Sequence, residues 1–127
     1  MKETELMIGD YVIRKNVPKE IFIVDAIDSI RDIVYLDLDG LGITEKLTNI
    51  EPIPLTPEIL KKNGWSKDLY DNESYDNDDF EQLSLWEGLD GNAWWWHVGV
   101  ELVIPLNFVH ELQHALRLCG INKEIEI

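Results

Sequence analysis

The stretch DIVYLDLDGLGITEKL, residues 32–47, decides how the first half of the chain is read. DIVYLDL (32–38) is rich in β-branched and aromatic residues and runs into Asp39-Gly40, a dipeptide suited to a tight turn; ITEKL (43–47) then returns. Working outward, MIGDYVIR (7–14), the turn KNVP and EIFIVDAI (20–27) repeat the pattern of short strand and turn. Four or five short strands in about 50 residues are too few for a two-sheet sandwich, and they predict a small curled barrel of SH3-like type. An open meander packed on a helix is the alternative. Gly9-Asp10, just ahead of Tyr11-Val12, places a flexible residue where the first strand of such a barrel bends.

The middle of the chain is punctuated differently. TPEILKKNG (56–64) predicts a short helix with Thr56 as cap, Pro57 in the first turn and Glu58 at the positive end of the dipole. Lys61 and Lys62 sit near its negative end and Gly64 stops it. PIPL before it is extended, because proline biases its predecessor away from helix. Residues 68–79, DLYDNESYDNDD, carry six acids and no base. Asp and Asn oxygens are calcium ligands, but the spacing lacks the glycine and terminal glutamate of an EF-hand loop, so a solvated mobile loop is expected.

FEQLSLWEG (80–88) and AWWWHVGVELVI (93–104) predict two strands joined by the turn LDGN. Alternation sends Trp94 and Trp96 to one face and Trp95 to the other. The face carrying Trp94 and Trp96 is either core or a ligand platform, since tryptophan binds sugars and bases. A helix over about 107–119, capped by Asn107 and stopped by Gly120, precedes an edge strand over 122–127. There Ile125 and Ile127 point inward, and Glu124 and Glu126 outward.

Composition narrows the function classes. The 127 residues are 45% hydrophobic and 28% charged, which fits one compact globular domain, with a β-barrel over 1–50 and the remaining elements over 51–127. No internal repeat or Gly/Ser linker is visible. No apolar run reaches the roughly 20 residues that span a bilayer, and the first residues lack the apolar core of a signal peptide. Cys119 is the single cysteine; it excludes an internal disulfide and fits a reducing compartment, so a cytoplasmic protein is expected. A net charge of −14, from 25 acids against 11 lysines and arginines, disfavours a phosphate-neutralising grip on nucleic acid.

One motif carries catalytic chemistry. His110-Glu111-Leu112-Gln113-His114 matches the H-E-x-x-H pattern of zinc metallopeptidases, in which two histidines one turn apart bind zinc and the glutamate acts as base. On a helical wheel Phe108, Val109, Leu112, Ala115, Leu116 and Cys119 form an apolar stripe. His110, Gln113, His114 and Arg117 are assigned to the opposite, solvated side. A third ligand is hard to find. Only 13 residues follow His114, none of them His, and Arg117 stands where the extended pattern has glycine. His97 is the one other imidazole upstream. The match is therefore read as incidental, with both imidazoles facing water, and no metal, cofactor or catalytic residue is assigned.

Three stretches, LMIGDYV (6–12), IEPIPLTPEILKKNGW (50–65) and VHELQHALRLCGINKEIEI (109–127), together resemble a family of short uncharacterised proteins from gut anaerobes, their phages and mobile elements. Residues 13–49 and 66–108 carry none of the resemblance. It implies no activity. It does imply that the Glu111 position is often Gln and the His114 position often another polar residue such as Asn, an exchange that a zinc peptidase could not make freely.

The expected molecule is thus an α+β protein: N-terminal small SH3-like barrel, linking helix, β-hairpin, C-terminal helix and edge strand. Its expected function is that of a non-enzymatic cytoplasmic accessory or binding protein with an unidentified protein partner. A zinc hydrolase using His110 and His114 with Glu111 as base is one alternative, and an acidic decoy for a basic nucleic-acid-binding partner is another.

Overall fold

The computed structural model of the chain describes residues 1–2, 5–67, 74–77, 83–87, 94–98 and 102–127. It divides into two compact units, Met1–Ile53 and Pro54–Ile127. Both are built on antiparallel sheets, and with the helices of the second unit the class is α+β. Among the described residues no helix is long and apolar enough to cross a membrane.

The first unit contains β1 (Tyr11–Arg14), β2 (Val17–Asp28), β3 (Ile33–Leu38), β4 (Leu41–Lys46), a 3₁₀ turn (Leu47–Asn49) and β5 (Ile50–Pro52). They pair in the order β4-β3-β2-β1-β5. The β3–β4 hairpin is the one expected: Leu38 pairs with Leu41, and Asp39 and Gly40 both take positive φ, 51° and 87°. Positive φ at both central residues defines the type I′ turn, whose twist matches that of the strands. The first hairpin differs from expectation. Arg14 pairs with Val17, so the turn shrinks to Lys15-Asn16 and Pro18 lies within β2.

Alternation places Val12, Phe22, Val24, Val34, Leu36 and Ile50 on one buried face, where Leu6 and Leu47 complete the core. Ahead of β1, Asp10 N–H donates to the Met7 carbonyl (3.1 Å) and the Asp10 carboxylate accepts from Met7 N–H (2.7 Å). Gly9, with φ of 91°, supplies the conformation that a type II turn needs at its third position. Gly9 N–H then docks on the Val24 carbonyl (2.7 Å) and Val24 N–H on the Asp10 carbonyl (2.9 Å). The expected bend before Tyr11 is this closed turn, with Asp10 fully buried inside it.

The sheet curls. Strands lie about 4.8 Å apart, so β1 and β4, with β2 and β3 between them, would be about 14 Å apart if flat. Yet Arg14 Nε on β1 meets Glu45 Oε2 on β4 at 2.7 Å. The same carboxylate accepts from the Asn49 amide and Lys46 N–H, each at 3.0 Å. The ladder nevertheless ends at β4 and β5, so backbone pairing does not close it into a barrel.

The second unit contains α1 (Pro57–Lys62), β6 (Trp65–Lys67), β7 (Ser74–Asn77), β8 (Leu83–Glu87), β9 (Trp94–Val98), β10 (Leu102–Leu106) and α2 (Val109–Leu118). The strands form a meander in the order β10-β9-β8-β7-β6. Helix α1 follows its sequence signals. Thr56 Oγ1 accepts from Ile59 N–H (3.3 Å), Pro57 opens the helix, and Gly64 ends it at φ of 91°.

Three expectations are corrected here. Within the acidic stretch 68–79, Ser74–Asn77 is a strand paired on both sides, with Tyr75 and Asn77 buried; the rest of that stretch lies outside the described residues. The anchor is Tyr75, a strand-favouring aromatic among the acids. The single strand expected over 93–104 is two antiparallel strands, Leu102 pairing with Val98, and Gly99 falls between them in the sequence. The side chains of Trp94, Trp95 and Trp96 lie outside the described residues. Finally, residues 121–127 form no strand; they are fastened by side chains, as described below.

The Glu45 carboxyl is held below its ordinary value of 4.5 by the Asn49 amide first, against the opposing effect of burial, and then by Lys46 N–H and Arg14. A lowered folded-state pKa means that the unfolded chain takes up the proton more readily. The stabilisation is complete above the ordinary carboxylate range and is lost as pH falls through it. Glu45→Gln should therefore melt below the parent protein at about pH 7, the two converging toward about pH 3. A gap independent of pH would contradict this role for the ionised carboxylate.

Candidate functional site

The H-E-x-x-H segment forms the first turns of α2. Its N-terminus is not capped by Asn107 as expected. The cap residue is Phe108, and Glu111 reaches back so that one carboxylate oxygen accepts from both Asn107 and Phe108 N–H, each at 3.1 Å. This is the glutamate half of a capping box. The far end closes as a Schellman motif: Ile121 N–H donates to the Leu116 carbonyl (2.9 Å), Gly120 N–H to the Arg117 carbonyl (3.0 Å), and Gly120 takes φ of 73°.

The buried side of α2 is wider than the expected stripe. Val109, His110, Leu112, Gln113, Ala115 and Leu116 are all buried, an arc of about 220° at 100° per residue. Gln113 lies one turn after Val109, only about 40° from it on the wheel, and so belongs with the apolar stripe. Cys119, which caps the C-terminal end of the helix, is exposed.

The two histidines do meet. His110 and His114 ring centroids are 5.5 Å apart, edge to face, and Phe108 stacks on His110 at 5.9 Å. The expectation that both imidazoles face water is overturned for His110, which is only 5% exposed; His114 is half-buried. Packing against Phe108 within the wide buried arc explains this. His97 sits on β9 opposite Val103 and Ser84, and its side chain lies outside the described residues. Among the described residues, no group of three or more His, Cys, Asp or Glu side chains is placed to hold a metal ion. Among the described residues the arrangement supplies two imidazoles and a glutamate occupied with capping, whereas zinc hydrolysis requires three ligands and a free base.

A polar centre that the sequence reading missed lies at the end of α1. Asn63 is buried, and its side-chain amide donates to the Ile59 carbonyl (2.7 Å) and the Glu126 carbonyl (2.8 Å). Its side-chain oxygen accepts from Glu126 N–H (2.7 Å). Its backbone carbonyl accepts from the Asn77 amide (3.0 Å) and Lys123 Nζ (2.8 Å). The Lys123 ammonium also lies 5.7 Å from the centroid of the buried Trp65 ring, within cation–π range. A Cβ on Gly64 would come within 3.2 Å of the Asn77 amide, so glycine serves both conformation and space. The signal was present in the sequence as Asn63-Gly64-Trp65, but it was read only as a helix stop.

Among the described residues, the first unit exposes apolar side chains on its strands. Ile23 and Tyr35 are 38% and 39% exposed, on the side of the sheet opposite the core. Ile23 is opposite Tyr11 on one side and Asp37 on the other. Compared with protein-family models, curated proteins and solved structures, the chain matches none.

The two polar centres predict different costs. Asn63→Ala strands buried partners, each worth roughly 1–3 kcal/mol when left unpaired, whereas His114→Asn should stay within about 0.5 kcal/mol. Urea unfolding of both variants ranks them, and a His114 variant as damaging as the Asn63 one would overturn that ranking.

Proposed function

We propose that the chain is a non-enzymatic cytoplasmic binding or accessory protein that acts through the outer face of its N-terminal sheet. The observation that carries this reading is the exposure of Ile23 and Tyr35 on that face. Burial on the opposite face already completes the core, so these side chains are available for contact with another molecule. An aromatic residue beside an aliphatic one is the composition favoured at protein contacts.

In this reading the first unit is a small SH3-like barrel. Support comes from the strand order, the 12-residue β2 with its register shift, the 3₁₀ turn before β5, and the Arg14–Glu45 bridge across the curl. Such barrels commonly serve as interaction modules, a fold-level analogy only.

The H-E-x-x-H match is then a structural helix start. Glu111 caps, His110 packs, and a glutamine at position 111, as in the family that the chain resembles, would cap equally well. Purified tag-free protein should carry no stoichiometric zinc and melt at the same temperature with and without a chelator. Zinc bound one to one, with a melting temperature that falls on chelation, would replace this reading by the hydrolase one. Tyr35→Thr, which retains a strand-favouring residue, should cost no more than about 1 kcal/mol. A larger loss would assign Tyr35 to folding rather than binding.

A further inference from the structure

Resting on that binding reading, we infer that the outer face of the N-terminal sheet receives an extended cationic protein segment that offers Arg or Lys side chains. Register defines the face. Tyr11, Ile23, Asp37 and Gly42 follow one another across β1 to β4. One step along, Tyr35 stands opposite Ala26 on β2 and Thr44 on β4. Asp25 is exposed at the shift in register between Val24 and Ala26, and Glu51 is exposed opposite Ile13 on β5. Apolar and aromatic groups are thus interleaved with three carboxylates, while Lys46, opposite Ile33 on the edge strand β4, is a cation at its border and Lys19 is exposed on β2.

This combination selects among occupants. Guanidinium and ammonium groups stack on tyrosine rings and pair with carboxylates, and their alkyl stems cover isoleucine. A second copy would oppose Asp25, Asp37 and Glu51 to the same acids on a chain of net charge −14. Nucleic acid and anionic lipid surfaces are repelled for the same reason. A cationic chain is attracted by the field and held by the apolar centre.

The test uses the full chain and two ten-residue peptides titrated by calorimetry: alternating Arg and Val, and the same sequence with each Arg replaced by citrulline, which keeps shape and removes charge. The arginine peptide is expected to bind, and binding to weaken several-fold as salt rises from about 50 to 300 mM. Tyr35→Ala and Asp25→Asn should each weaken it about fivefold or more, whereas Glu58→Gln, the same charge change at an exposed position of α1, should leave it unaltered. Equal losses from Asp25→Asn and Glu58→Gln, or none from Tyr35→Ala, overturn the inference in favour of diffuse attraction. If the citrulline peptide binds as tightly and Tyr35→Ala still weakens it, the binding face stands and its preference for cations falls. Binding of neither peptide overturns both.

Discussion

The C-terminal half of the chain hangs on one buried side chain. Asn63 ends α1, where helix carbonyls would otherwise lack partners, and its amide takes one of them, the Ile59 carbonyl. The same amide group then treats Glu126 as a strand would, giving one hydrogen bond and accepting another. Asn77 on β7 and Lys123 in the tail close on its backbone carbonyl. Helix, strand and tail thus share a single residue, and Ile125 is buried beside the clamp. A low-dielectric surrounding strengthens such bonds and makes any one left open costly.

This explains which parts of the fold were legible. The β3–β4 hairpin was, because Asp39-Gly40 states its turn type locally. The helix ends at Gly64 and Gly120 were, because left-handed stops are also local. The strand at Ser74–Asn77 was not, since two tyrosines among the six acids of residues 68–79 carry no visible alternation. The tail was misread for a related reason. KEIEI has strand periodicity, but its backbone partner is a side chain 63 residues earlier, between Asn63 and Glu126, and no local pattern announces that. Barrel-like curvature was half legible: the strands could be counted, whereas the Arg14–Glu45 contact that reveals the curl joins residues 31 apart.

The candidate site shows the same division. That His110 and His114 share a face follows from helical spacing, and their rings do meet. That His110 is buried follows from what covers α2, which the wheel alone cannot supply. Gln113 was legible and was misassigned, since it follows Val109 by one turn. Glu111 is the instructive residue. Its position three after the helix cap makes it a capping glutamate, and its position after a histidine makes it resemble a catalytic base. Backbone hydrogen bonds to Asn107 and Phe108 decide between the two. Short polar motifs in this chain, Gly9-Asp10, Asn63-Gly64 and His110-Glu111, work as fasteners of backbone.

The most direct test of that account is thermal unfolding of Glu111→Gln beside Glu111→Ala, each with and without added zinc. A capping role predicts that Gln melts close to the parent protein and that Ala loses about 1 kcal/mol, with zinc changing neither. Equal melting of the two variants, or a zinc-dependent rise in the parent that both variants lose, would contradict it.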